Sequence, residues 1–146
     1  MSINIQAISL LECNLKVVNA EAEKKFNLAL THYHDQTLTE GDTKVFSAAA
    51  AFDLMADIKD PLFSFSCVYG IRYIYDNEDE LKVLPPPIVI SHIISYLREL
   101  VSSMTVRLPG NAQLFFSPIN TFDLWGKYQK TLPVQDSNSQ NQTSKI

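Results

Sequence analysis

Phe63-Ser-Phe-Ser-Cys-Val-Tyr-Gly-Ile-Arg-Tyr-Ile-Tyr75 is the most regular stretch of the chain. Phe63, Phe65, Cys67, Tyr69, Ile71, Tyr73 and Tyr75 take every second position, and Ser64, Ser66, Val68, Gly70 and Arg72 fall between them. Two is the strand period, so an aromatic face opposes a smaller, more polar one. The period changes downstream. From Ile88 to Leu108, residues Ile90, Ile93, Ile94, Leu97, Leu100, Val101, Met104 and Leu108 recur every three or four positions, with His92, Ser95, Arg98, Glu99, Ser102 and Thr105 elsewhere. That spacing predicts a helix roughly 30 Å long, at about 1.5 Å per residue. Pro85-Pro86-Pro87 precedes it, excluded from helix interior and paired strand, and Pro109-Gly110 stops it.

Three more strands are expected before Phe63. Ile3, Ile5 and Ala7 alternate with polar neighbours, the phase slips at Ile8, and Leu11, Cys13, Leu15 and Val17 resume it, as in a long strand with a bulge or bend near its middle. Phe26, Leu28, Leu30, His32 and His34 share one side of a second strand, followed by a turn at Thr39-Glu-Gly-Asp42. Ala48 to Ala51 favours helix intrinsically, but Phe46, Ala48, Ala50, Phe52 and Leu54 fall on one side at period two, so Val45 to Met55 reads as the third. Beyond the long helix come a connector with Leu114, Phe115 and Phe116 and a short helix capped by Asn120, whose aromatic side is Phe122, Trp125 and Tyr128. Four strands followed by one long and one short helix make an α+β fold on an antiparallel, meander-like sheet. Residues 1–133 form a single domain; 134–146, rich in Ser, Asn and Gln, are expected to be a disordered polar tail. Sheet and helix together offer more apolar surface than one contact between them hides, so self-association is expected.

Composition excludes several roles. The 146 residues carry 12 Lys plus Arg against 16 Asp plus Glu, a formal charge of -4, with no basic run longer than Lys24-Lys25, so counterion release has no source and nucleic acid is not an expected partner. A mean hydropathy of -0.03 argues against membrane insertion. Cys13 and Cys67 sit in separate apolar runs with no C-x-x-C spacing, and Gln6, Glu12, Asn14 and Lys16 interrupt any signal-like block. A cytoplasmic location is expected.

The residue types that carry chemistry form no catalytic constellation in the sequence. His32 and His34 have the H-x-H spacing that transition metals use, but no third ligand follows by spacing, and a solvent-facing strand accounts for the pair. Ser91 or Ser95 beside His92, or Cys67 with a distant histidine, would be the nucleophile candidates; no G-x-S-x-G elbow exists, and Gly41, Gly70, Gly110 and Gly126 lie too far apart to cradle phosphate. The acids Asp76, Glu78, Asp79 and Glu80 read as a solvated loop. Neither an enzyme, a metal site nor a cofactor is expected.

Tyr96-Leu-Arg98-Glu99, then Ser103-Met104 and Arg107, and later Pro118-Ile-Asn120-Thr-Phe122-Asp123, resemble the SecB export chaperone family, whose long helix carries Y-x-R-E-x-x-x-S-M-x-x-R and whose second helix opens with P-V-N-F-D. Ile3-Asn-Ile5-Gln6-Ala-Ile8, Glu12-Cys-Asn-Leu15 and Val68-Tyr69-Gly70-Ile71 are similar to its first and fourth strands, so the likeness spans about residues 3 to 125. The resemblance implies dimers through edge strands and long helices, a tetramer of two such dimers, and an ATP-independent holdase that binds unfolded or precursor proteins in hydrophobic grooves and keeps them export-competent. On this chain the groove would be lined by Leu114, Phe116, Phe122 and Trp125, and the oligomer interface by Tyr96, Leu97, Arg98, Glu99 and Met104. The chain departs from the family in the short Asn19 to Lys25 link and in a tail without acids after Asp136, where the family docks the SecA motor through an acidic sheet surface and tail. Transfer to SecA, a dedicated client such as a toxin-antitoxin antitoxin, and a small-molecule or metal-binding domain therefore stand as alternatives.

Overall fold

In the computed structural model, residues 3–22, 25–106, 108, 114 and 118–132 are described. β1 (Asn4–Val17), β2 (Ala29–Glu40), β3 (Thr43–Asp53) and β4 (Phe63–Tyr75) form one antiparallel sheet in the order β1-β4-β3-β2. β2, β3 and β4 follow one another as a meander, and β1 returns to the far side of β4. After a 3-10 turn (Glu78–Val83) come α1 (Pro86–Thr105) and α2 (Thr121–Thr131). The α+β reading holds element by element.

Alternation explains the core. Phe46 faces Tyr73, Ala48 faces Ile71, Ala50 faces Tyr69 and Phe52 faces Cys67, all buried on the side where the helices pack. The small Ala48 and Ala50 let α1 settle close, and Val89, Ile90, Ile93, Leu97 and Val101 fill the layer with no exposed surface. α1 runs over β4, while α2 packs on β2 and against α1. Thr105, the last residue of α1, is buried; its Oγ1 donates to the Val101 carbonyl and accepts the Leu114 N–H at 2.8 Å, tying the returning chain to the helix end. The opposite face of the sheet is open among the described residues.

Four details differ from the sequence reading. Pro86 and Pro87 belong to the first turn of α1, where the missing N–H groups have no helical partner to lose, and α1 ends at Thr105. β1 slips register twice, between Ile5 and Ala7 and between Leu10 and Glu12, rather than once at Ile8. β2 starts at Ala29, and a bulge between Leu30 and His32 reverses its faces, so Leu30 points to the helices and His32 and His34 to the open side. The aspartates of the β3–β4 connection, Asp57 (φ 60) and Asp60 (φ 56), are both left-handed. The expected tail lies outside the described residues.

The β2–β3 hairpin closes on Gly41-Asp42, with Glu40 paired to Thr43. Gly41 takes φ +63 at the first loop position, the place of glycine in a type II′ turn. A Cβ there would meet no atom within 4 Å, so Gly41→Ala carries only the conformational penalty. A loss of about 1 kcal/mol in denaturant unfolding is expected; an unchanged midpoint would contradict this account of the turn.

Candidate functional site

Asn120 starts α2 by accepting the N–H groups of Phe122 and Asp123 at 3.0 and 3.2 Å, as the sequence predicts. With that start, Leu124 and Tyr128 point inward, Trp125 lies half-buried and Phe122 is 61% exposed. Trp125 meets the Tyr33 ring edge-on at 5.2 Å and the Tyr128 ring at 5.4 Å. Tyr33 comes from β2, and its backbone N–H donates to Tyr128 Oη at 3.3 Å. A continuous aromatic surface thus runs from β2 onto α2.

Beside it, Asn27, Leu28, Ala29 and Leu30, with Ala56 and Asp57, face Leu124, Lys127, Tyr128 and Thr131 across a cleft of about 290 Å³. Its walls are mainly apolar, with Lys127 and Asp57 as its charged groups. Tyr33 Oη donates to Asp35 Oδ2 at 2.9 Å; burial and then this carboxylate raise the phenol far above its ordinary range, so it stays a neutral donor.

The expected groove residues separate. Phe122 stands three residues before Trp125 on α2, one helical turn from the aromatic cluster, but Leu114 is only 2% exposed and belongs to the core, because Thr105 draws its backbone inward. It has no surface to offer a client. Phe116 lies outside the described residues. Of the expected interface set, Tyr96 is 51% exposed, Arg98 and Glu99 are exposed and Met104 is half-buried, whereas Leu97 is 0% exposed and packed inside its own chain. Leu97 shares the stripe that faces the sheet, so it cannot contact a second copy.

The remaining candidates are held by local structure. His32 and His34 lie on the open face, paired with Ala51 and Ala49, while His92 is on α1 on the other side, where Tyr73 Oη meets its Nδ1 at 2.7 Å. Ser91 Oγ donates to the Ile88 carbonyl and not to a histidine. Cys13 and Cys67 are cross-strand partners; burial raises both thiols, Cys67 to about 12, and a protonated thiol is a poor nucleophile. In the acidic loop Asn77 and Glu80 form a reciprocal cap on the 3-10 turn. Tyr33 is not among the residues the sequence pattern singles out, because the bulge after Leu30 shifts it onto the helix side, whereas Leu28 and Leu30 of the cleft wall belong to the alternating apolar set.

Partial burial lowers the His92 pKa, since the cation is poorly solvated against the sheet. The unfolded chain therefore binds this proton more readily: the stabilising contribution is intact above about pH 6.5 and is lost as pH falls through the lower folded value. Melting measured from pH 7 down to 5 should fall more in the wild type than in His92→Gln, which keeps an acceptor for Tyr73. Parallel curves would show that His92 does not contribute.

No family model matches the sequence, and no similar curated protein is found. Solved structures do match. The fold is similar to that of a SecB-like chaperone of Mycobacterium tuberculosis, solved in complex with a ChAD peptide from the antitoxin HigA1, with a TM-score of 0.55 and 16% identity over 80% of this chain and 90% of that one. A protein of unknown function from Streptococcus agalactiae matches with a TM-score of 0.49 and 14% identity over 81% of this chain and 98% of that one. The chain has the SecB-like fold implied by its helix and strand motifs.

Proposed function

We propose that this protein is an ATP-independent holdase that binds non-native polypeptides through the aromatic surface of α2 and β2. The observation that carries the reading is Phe122, 61% exposed at the start of α2 and next to half-buried Trp125. A large apolar side chain held out by a well-capped helix gains free energy when something covers it, at about 25 cal/mol per Å² buried. A flexible chain presents such apolar groups and a folded one withholds them. The likeness in fold to a chaperone solved in complex with an antitoxin peptide supports the same class of ligand. The role requires binding alone, with no catalytic step, cofactor or metal.

Holding of export precursors and transfer to SecA is one form of this role. The open face bears Glu12, Glu40 and Asp53 against Lys16 and Arg72, and Arg72 Nη2 is paired with Glu40 Oε1 at 2.6 Å. So balanced a face offers little to a partner seeking acidic residues. A dedicated client of the antitoxin kind therefore fits better than SecA docking.

Self-association is part of the proposal. On the helix-facing side of β1, Ile5, Leu10 and Val17 stay exposed beyond the reach of α1, and Tyr96 stands out from that helix. A second copy would cover this strip, with Arg98, Glu99 and Met104 around it, to give a dimer or dimer of dimers in the cytoplasm. Among the described residues no helix is long and apolar enough to cross a membrane. Light scattering should show an oligomer that Leu10→Asp with Tyr96→Asp reduces to monomers; a monomeric wild type would remove this part.

The holdase reading is tested by aggregation of a reduced, unfolded client followed by turbidity without nucleotide. Suppression near stoichiometric protein is expected, and none at molar excess would reject the reading.

A further inference from the structure

β2 is an edge strand, and only one of its edges is used. Glu40 and Thr43 flank the two-residue loop as a hydrogen-bonded pair, so the main-chain groups of Leu38, Gln36 and His34 point to β3 and those of Thr39, Thr37, Asp35 and Tyr33 point outward. The Tyr33 N–H confirms this direction independently, since it reaches away from β3 to Tyr128 Oη. α2 thus satisfies the outer edge at Tyr33 and leaves it open from Asp35 to Thr39, about 17 Å of strand. No structured segment covers these groups among the described residues.

We infer that this open edge receives the client's backbone, so that an extended polypeptide segment adds to the sheet as a fifth strand beside β2. The inference rests on the holdase reading and states how the client is held. Main-chain donors and acceptors in a row recognise an extended main chain whatever its sequence. Side chains supply the selectivity. Residues of the added strand opposite Asp35 and Thr37 point to the helix side, where the Trp125 ring already covers Tyr33, and those between them point to the open side. The expected segment is therefore apolar at every second position.

Charge argues against a second copy of the chain as the occupant. β2 contains no lysine or arginine, so two such edges meeting would bring together two copies of Asp35 with no basic residue of the strand to offset them. A client with a basic residue among its apolar ones meets no such repulsion.

Amide exchange with reduced, carboxymethylated α-lactalbumin as the probe tests the inference. In the free protein the amides of Asp35, Thr37 and Thr39 should exchange quickly and those of Gln36, Leu38 and Glu40 slowly. The probe should protect the first set. Thr37→Pro removes an outward donor and no bond of the β2–β3 ladder, so it should weaken probe binding about threefold to tenfold with melting little changed. Protection absent at these three amides, or undiminished affinity in Thr37→Pro alongside reduced affinity in Phe122→Asp, would overturn strand addition and leave the holdase reading standing. Absence of probe binding by the wild type overturns both. Concentration-dependent protection of the same amides without probe would assign the edge to a second copy and overturn the inference as well.

Discussion

Leu97→Asp is expected to unfold the protein. Leu97 is fully buried, facing the sheet in a layer with Ile90, Ile93 and Val101. An aspartate there either buries a charge without a partner or stays neutral with its carboxyl unsatisfied, and the leucine's packing is lost as well. Truncating a buried leucine to alanine alone costs about 2–5 kcal/mol, and a domain of this size has only about 5–15 kcal/mol in total. Far-UV circular dichroism should lose its cooperative transition. An alternative role for Leu97 at a subunit boundary predicts a folded monomer instead; a cooperative melt with a halved mass would show that the burial described here is wrong.

The opposite behaviour is expected of Phe122→Asp. The side chain is mostly in solvent and Asn120 caps the helix without its help, so stability should change by no more than about 0.5 kcal/mol. An acid in the first turn of α2 also suits the helix dipole. Client affinity should drop about tenfold to a hundredfold, since burying a phenylalanine is worth about 1.5–3 kcal/mol. Fluorescence titration with the unfolded client reads this directly. Unchanged affinity in a folded variant would move the binding surface away from α2.

These two residues show what the sequence could convey. Period two from Phe63 to Tyr75 and period 3.6 from Ile90 to Val101 state which side of each element is apolar, and both sides are buried as read. Periodicity cannot tell an apolar residue covered by its own sheet from one covered by another molecule, which is why Leu97 and Leu114 read as surface groups. The N-cap of α2 was legible because one side chain bonding two nearby amides is a local matter. The β2 bulge was not: it depends on the Leu30 and His32 pairing to β3, a long-range register, and it alone places Tyr33 beside Trp125 and sends both histidines to the other face. The unused edge of β2 is a property of topology and follows only once the order β1-β4-β3-β2 is known.

Site-specific photo-crosslinking to an unfolded client tests the central claim most directly. A benzophenone side chain placed at Phe122 should capture the client without nucleotide, and the same group at Ser66, exposed on the open face, should capture little. Capture at Ser66 with none at Phe122 would contradict the account and place the client on the other side of the sheet.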